Sequence, residues 1–389
     1  MKKTIAITSA LAAASSLATA EIKINEFLSF AGFVDASYSH TDLDVEGGKE
    51  SDNSFGIDQV EIDWMFNFGK VTAQIDLQYE NGVNGDDDAT EVEQAFVSYD
   101  LGNGLSVTAG RYESTLGLEA KEPTGLYQYS TAYDFGGDLA LNSLPQYAQG
   151  VKLAKDIDGN IYTLSLQDEA YNYDADRLGG DDASGYAIEA SASIALSDEL
   201  TAFIGGAFAD SDGGDAYSIN AHLTHVSGPW TFGAEVIYTE TDDFQNDNVS
   251  GLIGDAIADE AADIEAALGL DADSLEVNID SAKTEILQAL VMANYAYSDC
   301  CSITGRISYT EIDGDVDATA SGTVSDLPVS DTGSISGEAG NFFKYTLAHN
   351  YAVTDNLAVI TEVSYVDGEL FETVDYEALV GAVEVLFTF

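Results

Sequence analysis

The chain has 389 residues, with 69 acidic side chains against 13 basic ones and a formal net charge of −56. Phosphate contacts need clustered Lys and Arg, so this charge excludes a nucleic-acid-binding protein, and nucleic acid is not an expected partner. Apolar residues make up 45% of the sequence, which also holds 21 Tyr and 17 Phe. That much buriable surface excludes a disordered chain.

The first twenty residues have the features of a secretory signal peptide. Two lysines, an apolar run over 5–17 and a small-x-small motif ending at Ala20 follow in that order. The alternative is an N-terminal membrane anchor, but the apolar run is too short to span a bilayer. We predict a signal peptide over 1–20 and a single domain over 21–389. Within that domain no apolar run has the length of a transmembrane helix, so only a barrel could cross a membrane.

From residue 27 onward the dominant hydrophobic period is two, which is typical of half-buried strands. Apolar and polar side chains alternate over 60–68 and again over 71–79 after a short turn. Two such runs predict an antiparallel hairpin. The same texture recurs along the chain, from a first candidate strand at 27–40 to a last one at 380–389.

The connections between candidate strands alternate between tight and long. The tight ones are 68–70, 100–104, 156–160, 196–200, 226–230, 297–301 and 353–356. The others are mostly long and acidic: 41–53, 80–90, 113–146, 168–184, 240–283 and 311–341, with shorter ones at 210–215 and 367–373. Outer-membrane barrels have short periplasmic turns, long external loops and an even strand number. We therefore predict an all-β fold, an antiparallel up-and-down transmembrane β-barrel of about 16 strands.

Polar positions of the alternating strands are the predicted lining of the lumen. The charged ones are Glu61, Asp63, Asp76, Lys152, Glu189, Glu235, Arg306, Lys344, Glu362 and Glu384. Opposite charges on facing walls would create a transverse field that sorts polar solutes. The alternative is that these residues only solvate a wide pore. Over 90–99 the pattern leaves open whether Glu93 or Gln94 faces inward.

The long connection 113–146 carries leucines and tyrosines that a loop in water would not keep. We expect it to fold into the lumen, where it would bury these side chains and narrow the pore. The Gly pair at 136–137 would allow a tight turn there. The candidate constriction residues are Arg111, Glu113, Glu119, Glu122, Asp134 and Asp138.

The acidic connection 240–283 keeps apolar residues at helical spacing between Ile253 and Leu268. Ser250 is a candidate cap and Gly269 a candidate stop, so we expect a short amphipathic helix in this external insert. It would cover the mouth of the barrel or pack on a neighbouring subunit. The alternative is a loosely held surface helix.

Metal binding and catalysis receive little support from the sequence. Asp313, Asp315 and Asp317 offer the oxygen ligands that Ca²⁺ prefers, but the twelfth position after Asp313 is Val324 and not Glu. Cys300 and Cys301 are adjacent and fit either two thiols at a tight turn or a vicinal disulfide. Since no catalytic motif or phosphate loop is present, we expect neither an enzyme nor a cofactor.

Five stretches carry a family resemblance: AGFVDASYSH (31–40), FGIDQVEIDW (55–64), EQAFVSYDLGNGLSVTAGRYESTLGLEA (93–120), PQYAQGVKLAKDIDGNIYTLSL (145–166) and TDNLAVITEVSYVDG (354–368). They resemble the β-barrel porins of the OmpL-like type. The resemblance implies a channel for small solutes in the outer membrane of a Gram-negative bacterium. Likeness to the longer general porins further implies 16 strands, a third loop folded inward and a homotrimer. The insert 240–283 departs from that pattern.

We therefore expect a porin that passes small hydrophilic solutes or ions by diffusion within outer-membrane lipids. Acid-rich loops and walls should concentrate cations at its mouth. The alternative is a non-conducting outer-membrane barrel that acts as a surface receptor or adhesin through its acidic loops. The acid excess could instead reflect a saline habitat, where salt screens such charges. The ending VGAVEVLFTF (380–389) should pair with the strand at 27–40, and its terminal Phe resembles the signal for barrel insertion.

Overall fold

The computed structural model describes residues 21–45, 48–80, 91–137, 139–168, 171, 185–211, 214–242, 275–324, 327–371 and 373–389. These residues form seventeen strands, β1 to β17 in chain order: Ile22–Lys23, Leu28–Val45, Gly48–Asn67, Val71–Glu80, Glu91–Gly102, Leu105–Glu113, Tyr147–Ile157, Asn160–Gln167, Tyr186–Ala195, Leu200–Ser211, Gly214–Ser227, Trp230–Asp242, Leu275–Ser298, Cys301–Val324, Leu327–Thr354, Leu357–Leu370 and Val374–Thr388. A single 3₁₀ turn, Pro123–Gly125, lies between β6 and β7. No helix in this part of the chain is long and apolar enough to cross a membrane.

Strands β2 to β17 form one closed antiparallel ring. Each strand pairs with its neighbours in sequence, and β17 returns to pair with β2. The two-residue strand β1 pairs with the beginning of β2, where Ile22 lies opposite Phe30. The predicted fold, an up-and-down barrel with sixteen strands in its wall, is therefore confirmed.

The wall has an apolar outer face and a polar inner face. In β16, Glu362 and Ser364 are buried, whereas the intervening Val363 and the following Tyr365 are exposed. On β15 the outward Leu347 is 61% exposed. A continuous apolar surface of this kind is stable only against hydrocarbon, and a closed ring leaves no unpaired strand edge there.

Two connections that the sequence predicts as long loops are instead strand over most of their length. β2 and β3 continue through 41–53 up to residues 45 and 48, and β14 and β15 continue through 311–341 up to 324 and 327. The backbone pairing of the strands continues through both hairpins. An ion pair between Lys49 and Asp44 across one of these hairpins, 2.5 Å long, shows their polar character.

Two predicted features lie outside the described residues. These are the signal peptide at 1–20 and the amphipathic helix between Ser250 and Gly269. At the edges of that insert, β12 extends to Asp242 and β13 begins at Leu275, so the connection between the strands is shorter than 240–283.

The last strand closes the barrel on its short-turn rim. Thr388 lies opposite Phe33, and Phe389 and Gly32 exchange two backbone hydrogen bonds of 2.9 Å. The ring of Phe389 packs against Phe30 and Phe387, with centroids 6.2 and 5.9 Å away. A Cβ on Gly32 would lie 2.3 Å from the carbonyl oxygen of Glu61 and 2.9 Å from this ring, so the close approach requires glycine.

We predict that deleting Phe389 impairs assembly of the barrel much more than it alters conductance. The deletion removes two hydrogen bonds and the aromatic contacts at the one place where the two ends of the sheet meet. The folded fraction is measured by heat-modifiable migration on a detergent gel, and the folded molecules by single-channel recording. Phe68→Ala is the matched control, since Phe68 is an exposed aromatic residue on the same rim that stacks on Phe27 away from β17. Equal folded fractions for the two variants would contradict the prediction.

Candidate functional site in the barrel interior

The structure places the charged lining candidates on the inner face of the wall. Glu61, Asp76, Glu189, Glu235, Arg306, Lys344, Glu362 and Glu384 are all buried, and Asp63 and Lys152 are half-buried. They lie on β3, β4, β7, β9, β12, β14, β15, β16 and β17. Along each strand they alternate with apolar residues that face outward. Their part in solute passage stays a prediction.

The residues between β6 and β7, 114–146, are called here the inner segment. Its leucine and aromatic side chains are buried, among them Leu116, Leu118 and Leu141, each at most 2% exposed. Leu116 packs with Ala207 and Ile237, which face inward from β10 and β12. The inner segment therefore lies against the inside of the wall, with its apolar side chains in contact with strand residues.

An aromatic stack holds the far end of the inner segment. Phe135 is fully buried and stacks on Phe342 of β15, with ring centroids 4.6 Å apart. Tyr376 of β17 packs edge-on against Phe342 and donates its hydroxyl hydrogen to the carbonyl of Gly136 at 2.9 Å. Gly136 and Gly137 both have positive φ, +86° and +63°, which explains the Gly pair at this turn.

Arg306 is the basic side chain that anchors the middle of the inner segment. Its Nη1 lies 2.5 Å from Glu119 Oε1 and donates to the Ser130 carbonyl at 2.9 Å. Its Nη2 donates to the Thr131 carbonyl at 2.9 Å. Glu119 is held from its own side by the Ala132 N–H, 2.7 Å from Oε2. The ion pair thus fixes two separate turns of the inner segment on β14.

Lys344 and Glu362, on the two strands after β14, anchor the same turn. Lys344 Nζ donates to Ser130 Oγ at 2.7 Å and to the Thr131 and Asp134 carbonyls at 2.9 and 2.5 Å. Glu362 accepts from the Ser130 N–H at 3.1 Å and from its hydroxyl. Both charged side chains therefore form hydrogen bonds with backbone groups of the inner segment.

Acidic side chains of the opposite arc hold its first residues. Glu189 of β9 accepts from Ser114 Oγ at 2.6 Å and from the Thr115 N–H at 2.9 Å. Glu235 of β12 accepts from the Leu118 N–H and from the amide of Asn220, both at 2.7 Å. Carboxylates bind backbone N–H groups strongly, so these contacts fix the entry of the segment into the lumen.

The remaining candidates do not all belong to the inner segment. Arg111 lies on β6 and donates its Nε hydrogen to the Glu93 carbonyl at 2.9 Å. Lys152 lies on β7, with Nζ 4.3 Å from the ring centre of Tyr112 and 3.2 Å from the carbonyl of Glu113. Asp134 Oδ1 accepts the N–H of Gly136 at 2.9 Å, a turn contact. Asp138 lies outside the described residues.

The calcium candidates at 313–317 lie within β14, where the backbone pairs with β13 on one side and β15 on the other. Cys300 and Cys301 lie at the β13–β14 turn as free thiols, with their sulfur atoms 3.3 Å apart.

A β-bulge answers the question that the sequence leaves open over 90–99. On β4 and β5, Asp76 lies opposite Gln94, but Leu77 lies opposite Val92, so Glu93 is an extra residue. Both Glu93 and Gln94 therefore point inward: Glu93 is 5% exposed, and Gln94 Nε2 donates to Asp76 Oδ2 at 2.7 Å. A strict period of two cannot show such a position.

Sequence reasoning also missed several neutral or basic partners of the inner segment. Gln288 of β13 bonds Ser143 and donates to the Leu141 carbonyl at 3.2 Å. Lys121 donates to the carbonyls of Leu116 and Pro145 at 3.3 Å, and burial lowers the pKa of its ammonium group. The inward parity of Gln288 was readable from its strand, but its partner was not.

Comparisons with known proteins agree with this architecture. The family model described as "Putative beta-barrel porin-2, OmpL-like" matches residues 28–389. No curated protein matches the chain.

Three solved structures illustrate the shared fold. The outer membrane channel DcaP of Acinetobacter baumannii aligns with a TM-score of 0.60 and 12% identity over 93% of this chain and 97% of its own. OmpF of Salmonella typhi, in complex with daunomycin, aligns with a TM-score of 0.56 and 14% identity over 95% and 100%. OmpT of Vibrio cholerae aligns with a TM-score of 0.54 and 12% identity over 95% and 100%. At such identities the likeness concerns the fold alone.

We predict that Arg306→Met loosens the inner segment. The change removes one partner of a buried ion pair, which costs about 3–5 kcal/mol, and leaves the Ser130 carbonyl without its donor, whereas the Thr131 carbonyl keeps Lys344. The variant should lose its folded gel migration at a lower temperature and show a larger, noisier single-channel conductance than the wild type.

Lys155→Met is the matched control for this measurement. It makes the same change of charge at the short-turn rim, where Lys155 donates to the Asn103 carbonyl away from the inner segment. If the two variants have the same conductance and thermal stability, Arg306 does not hold the inner segment in place.

Proposed function

The chain belongs to the OmpL-like β-barrel porin-2 family, and from that membership we propose that it is a diffusion porin for small hydrophilic solutes or ions that prefers cations. It is a β-barrel of the outer membrane, as the sequence predicts. A catalytic activity forms no part of the proposal. The observation that carries it is that the basic side chains inside the barrel bind the inner segment, whereas the acidic side chains on β3 to β5 form no ion pair among the described residues.

The inner segment takes the role of the constriction in this proposal. It is bound to the wall through Glu189, Glu235, Arg306, Lys344 and Glu362, so its position is fixed by ionic contacts and not by apolar packing alone. A backbone held in this way narrows the lumen without needing a helix or a plug domain.

The cation preference is proposed from the charges inside the barrel that lack an ion-pair partner of opposite sign. Arg306 and Lys344 direct their charge into carbonyls of residues 130–134. The acidic side chains on β3 to β5 have no ion pair with a Lys or Arg among the described residues. A lumen with uncompensated carboxylates raises the local concentration of cations.

Assembly as a homotrimer is part of the proposal. One form of OmpT of Vibrio cholerae, which aligns with a TM-score of 0.51, is described as a trimer form. The lipid-facing apolar surface of the barrel is compatible with contacts to lipid and to further copies of the chain.

A receptor or adhesin without conductance is the second candidate. It is favoured by the hairpin of β14 and β15, whose strands have 24 and 28 residues and extend well beyond the membrane-crossing part. A surface of this size could bind a partner outside the cell.

We predict that the purified protein forms channels in planar bilayers and that its reversal potential in a KCl gradient shows preference for K⁺. The preference should be largest at low salt and weaken toward 1 M, where the screening length is about 3 Å. Asp63→Asn should reduce it, since this half-buried carboxylate lies on the inner face. Asp299→Asn, at the exposed β13–β14 turn, is the matched control and should change it less.

Two results would contradict the proposal. A preference for chloride would rule out the cation selectivity but leave a porin. Protein that inserts without ever conducting would rule out the porin and favour the receptor.

A further inference from the structure

Five carboxylates form two overlapping triads between the wall and the inner segment. Asp63 on β3 lies directly opposite Asp76 on β4, and Glu61 is two residues earlier on the same face. Oxygen atoms of Glu61, Asp63 and Asp76 lie within 4.8 Å of one another, and so do oxygen atoms of Glu61, Glu93 and Glu122. Glu61 belongs to both triads, and Glu122 comes from the inner segment. These five residues are called here the carboxylate cluster.

Several oxygen atoms of the carboxylate cluster are buried without a hydrogen-bond donor. Asp76 is 0% exposed, and its Oδ1 has no hydrogen-bond partner. The oxygen atoms Glu93 Oε2 and Asp63 Oδ1 are also buried and also have no hydrogen-bond partner. Burying a carboxylate oxygen without a hydrogen-bond partner costs free energy. A bound ligand that contacts these three oxygen atoms would offset that cost.

Asp76 and Glu122 also accept hydrogen bonds from neutral side-chain donors. Asp76 Oδ2 accepts two amide hydrogens, from Gln74 at 2.9 Å and from Gln94 at 2.7 Å. Glu122 accepts from Gln59 Nε2 and from the hydroxyl of Tyr147, both at 2.9 Å. Donors of this kind stabilise the charged form of a carboxyl group.

Among the described residues, no basic side chain forms an ion pair with the carboxylate cluster. The one ion pair between the inner segment and the wall joins Glu119 to Arg306, on another arc. Arg111, which lies on the adjacent β6, directs its Nε to the carbonyl oxygen of Glu93 and not to its carboxylate. Like charges at this spacing repel strongly away from bulk water, and a cation from solution would relieve the repulsion.

We propose that the carboxylate cluster binds one divalent cation, Ca²⁺ in preference to Mg²⁺, which links the inner segment to the barrel wall through Glu122. All ligands offered are oxygen atoms, which hard cations prefer. Ligands on opposite sides of a Ca²⁺ lie roughly 4.6–5.2 Å apart, so the three oxygen atoms of either triad, within 4.8 Å of one another, can share one ion, and Glu61 connects the two triads. Mg²⁺ requires a shorter, octahedral geometry that side chains from four separate elements meet less readily.

The amides around the carboxylate cluster would orient its ligands. Gln74 and Gln94 fix the Asp76 carboxylate so that Oδ1 stays directed away from its donors. The β-bulge at Glu93 brings this ligand to the cluster beside Gln94. Bound Ca²⁺ would thus hold the inner segment where no basic side chain does so.

The test is calorimetric titration of CaCl₂ into detergent-solubilised, EDTA-stripped full-length protein at about 0.15 M KCl, where the screening length is about 8 Å. We expect one saturable site that Mg²⁺ fills less tightly. Asp76→Asn and Glu122→Gln should each weaken Ca²⁺ binding by about tenfold or more, the range that loss of even an outer partner produces. Asp198→Asn, at an exposed turn, is the matched control and should bind like the wild type.

Each variant is first checked for folding by heat-modifiable migration. If Asp76→Asn does not fold, Glu122→Gln decides, because Glu122 is outside the strands of the wall. Absence of a saturable site in the wild type, or unchanged binding in folded Glu122→Gln, would overturn the proposal. So would loss of binding in Asp315→Asn with retention in Asp76→Asn, which would place the ion on the β14–β15 hairpin. Binding in detergent is independent of conductance, so it can fail while the porin proposal stands.

Discussion

The constraint on which the whole molecule depends is that backbone N–H and C=O groups find no water inside a bilayer. Every such group must be paired within the protein, and for strands this requires a closed ring. The pairing of β17 with β2 meets that requirement, and Phe389 and Gly32 extend it to the last residue. Once the ring is closed, a period of two divides all side chains between lipid and lumen.

Closure creates a polar interior that the inner segment then occupies. This segment has almost no secondary structure, so its own backbone groups need partners from the wall. The partners are sorted by sign: Arg306 and Lys344 take carbonyls, whereas Glu189 and Glu235 take N–H groups. Charged wall residues thus satisfy the backbone hydrogen-bonding groups of the irregular inner segment, as neighbouring strands do within a sheet. The apolar side chains of the segment pack against the wall between these contacts.

Much of this architecture was predictable from the sequence, since lipid imposes a strict alternation. The inward position of Glu362 or Arg306 follows from parity alone. The partner of Arg306 does not, because Glu119 is 187 residues away and reaches it only through the route of the inner segment. Glu93 was unpredictable for another reason: a bulge shifts the register by one residue, and the sequence carries no mark of it.

The length of the β14–β15 hairpin was also not predicted from the sequence. The strands β14 and β15 continue through 311–341, where the sequence predicts a long acidic connection. The high content of Asp, Ser and Gly favoured a loop there, although the chain remains paired as a ladder.

Two acidic residues of the inner segment, Glu119 and Glu122, contact parts of the wall with opposite charge. Glu119 enters a basic environment at Arg306, where attraction fixes it. Glu122 enters an acidic one beside Glu61 and Glu93, where neutral donors from Gln59 and Tyr147 hold it against repulsion, and burial raises the pKa of its carboxyl group. The contact of Glu119 with Arg306 is stable by itself, whereas the contact of Glu122 with Glu61 and Glu93 would be stabilised by a cation from solution. The position of the constriction is thus least determined on the side where the acidic wall would select cations.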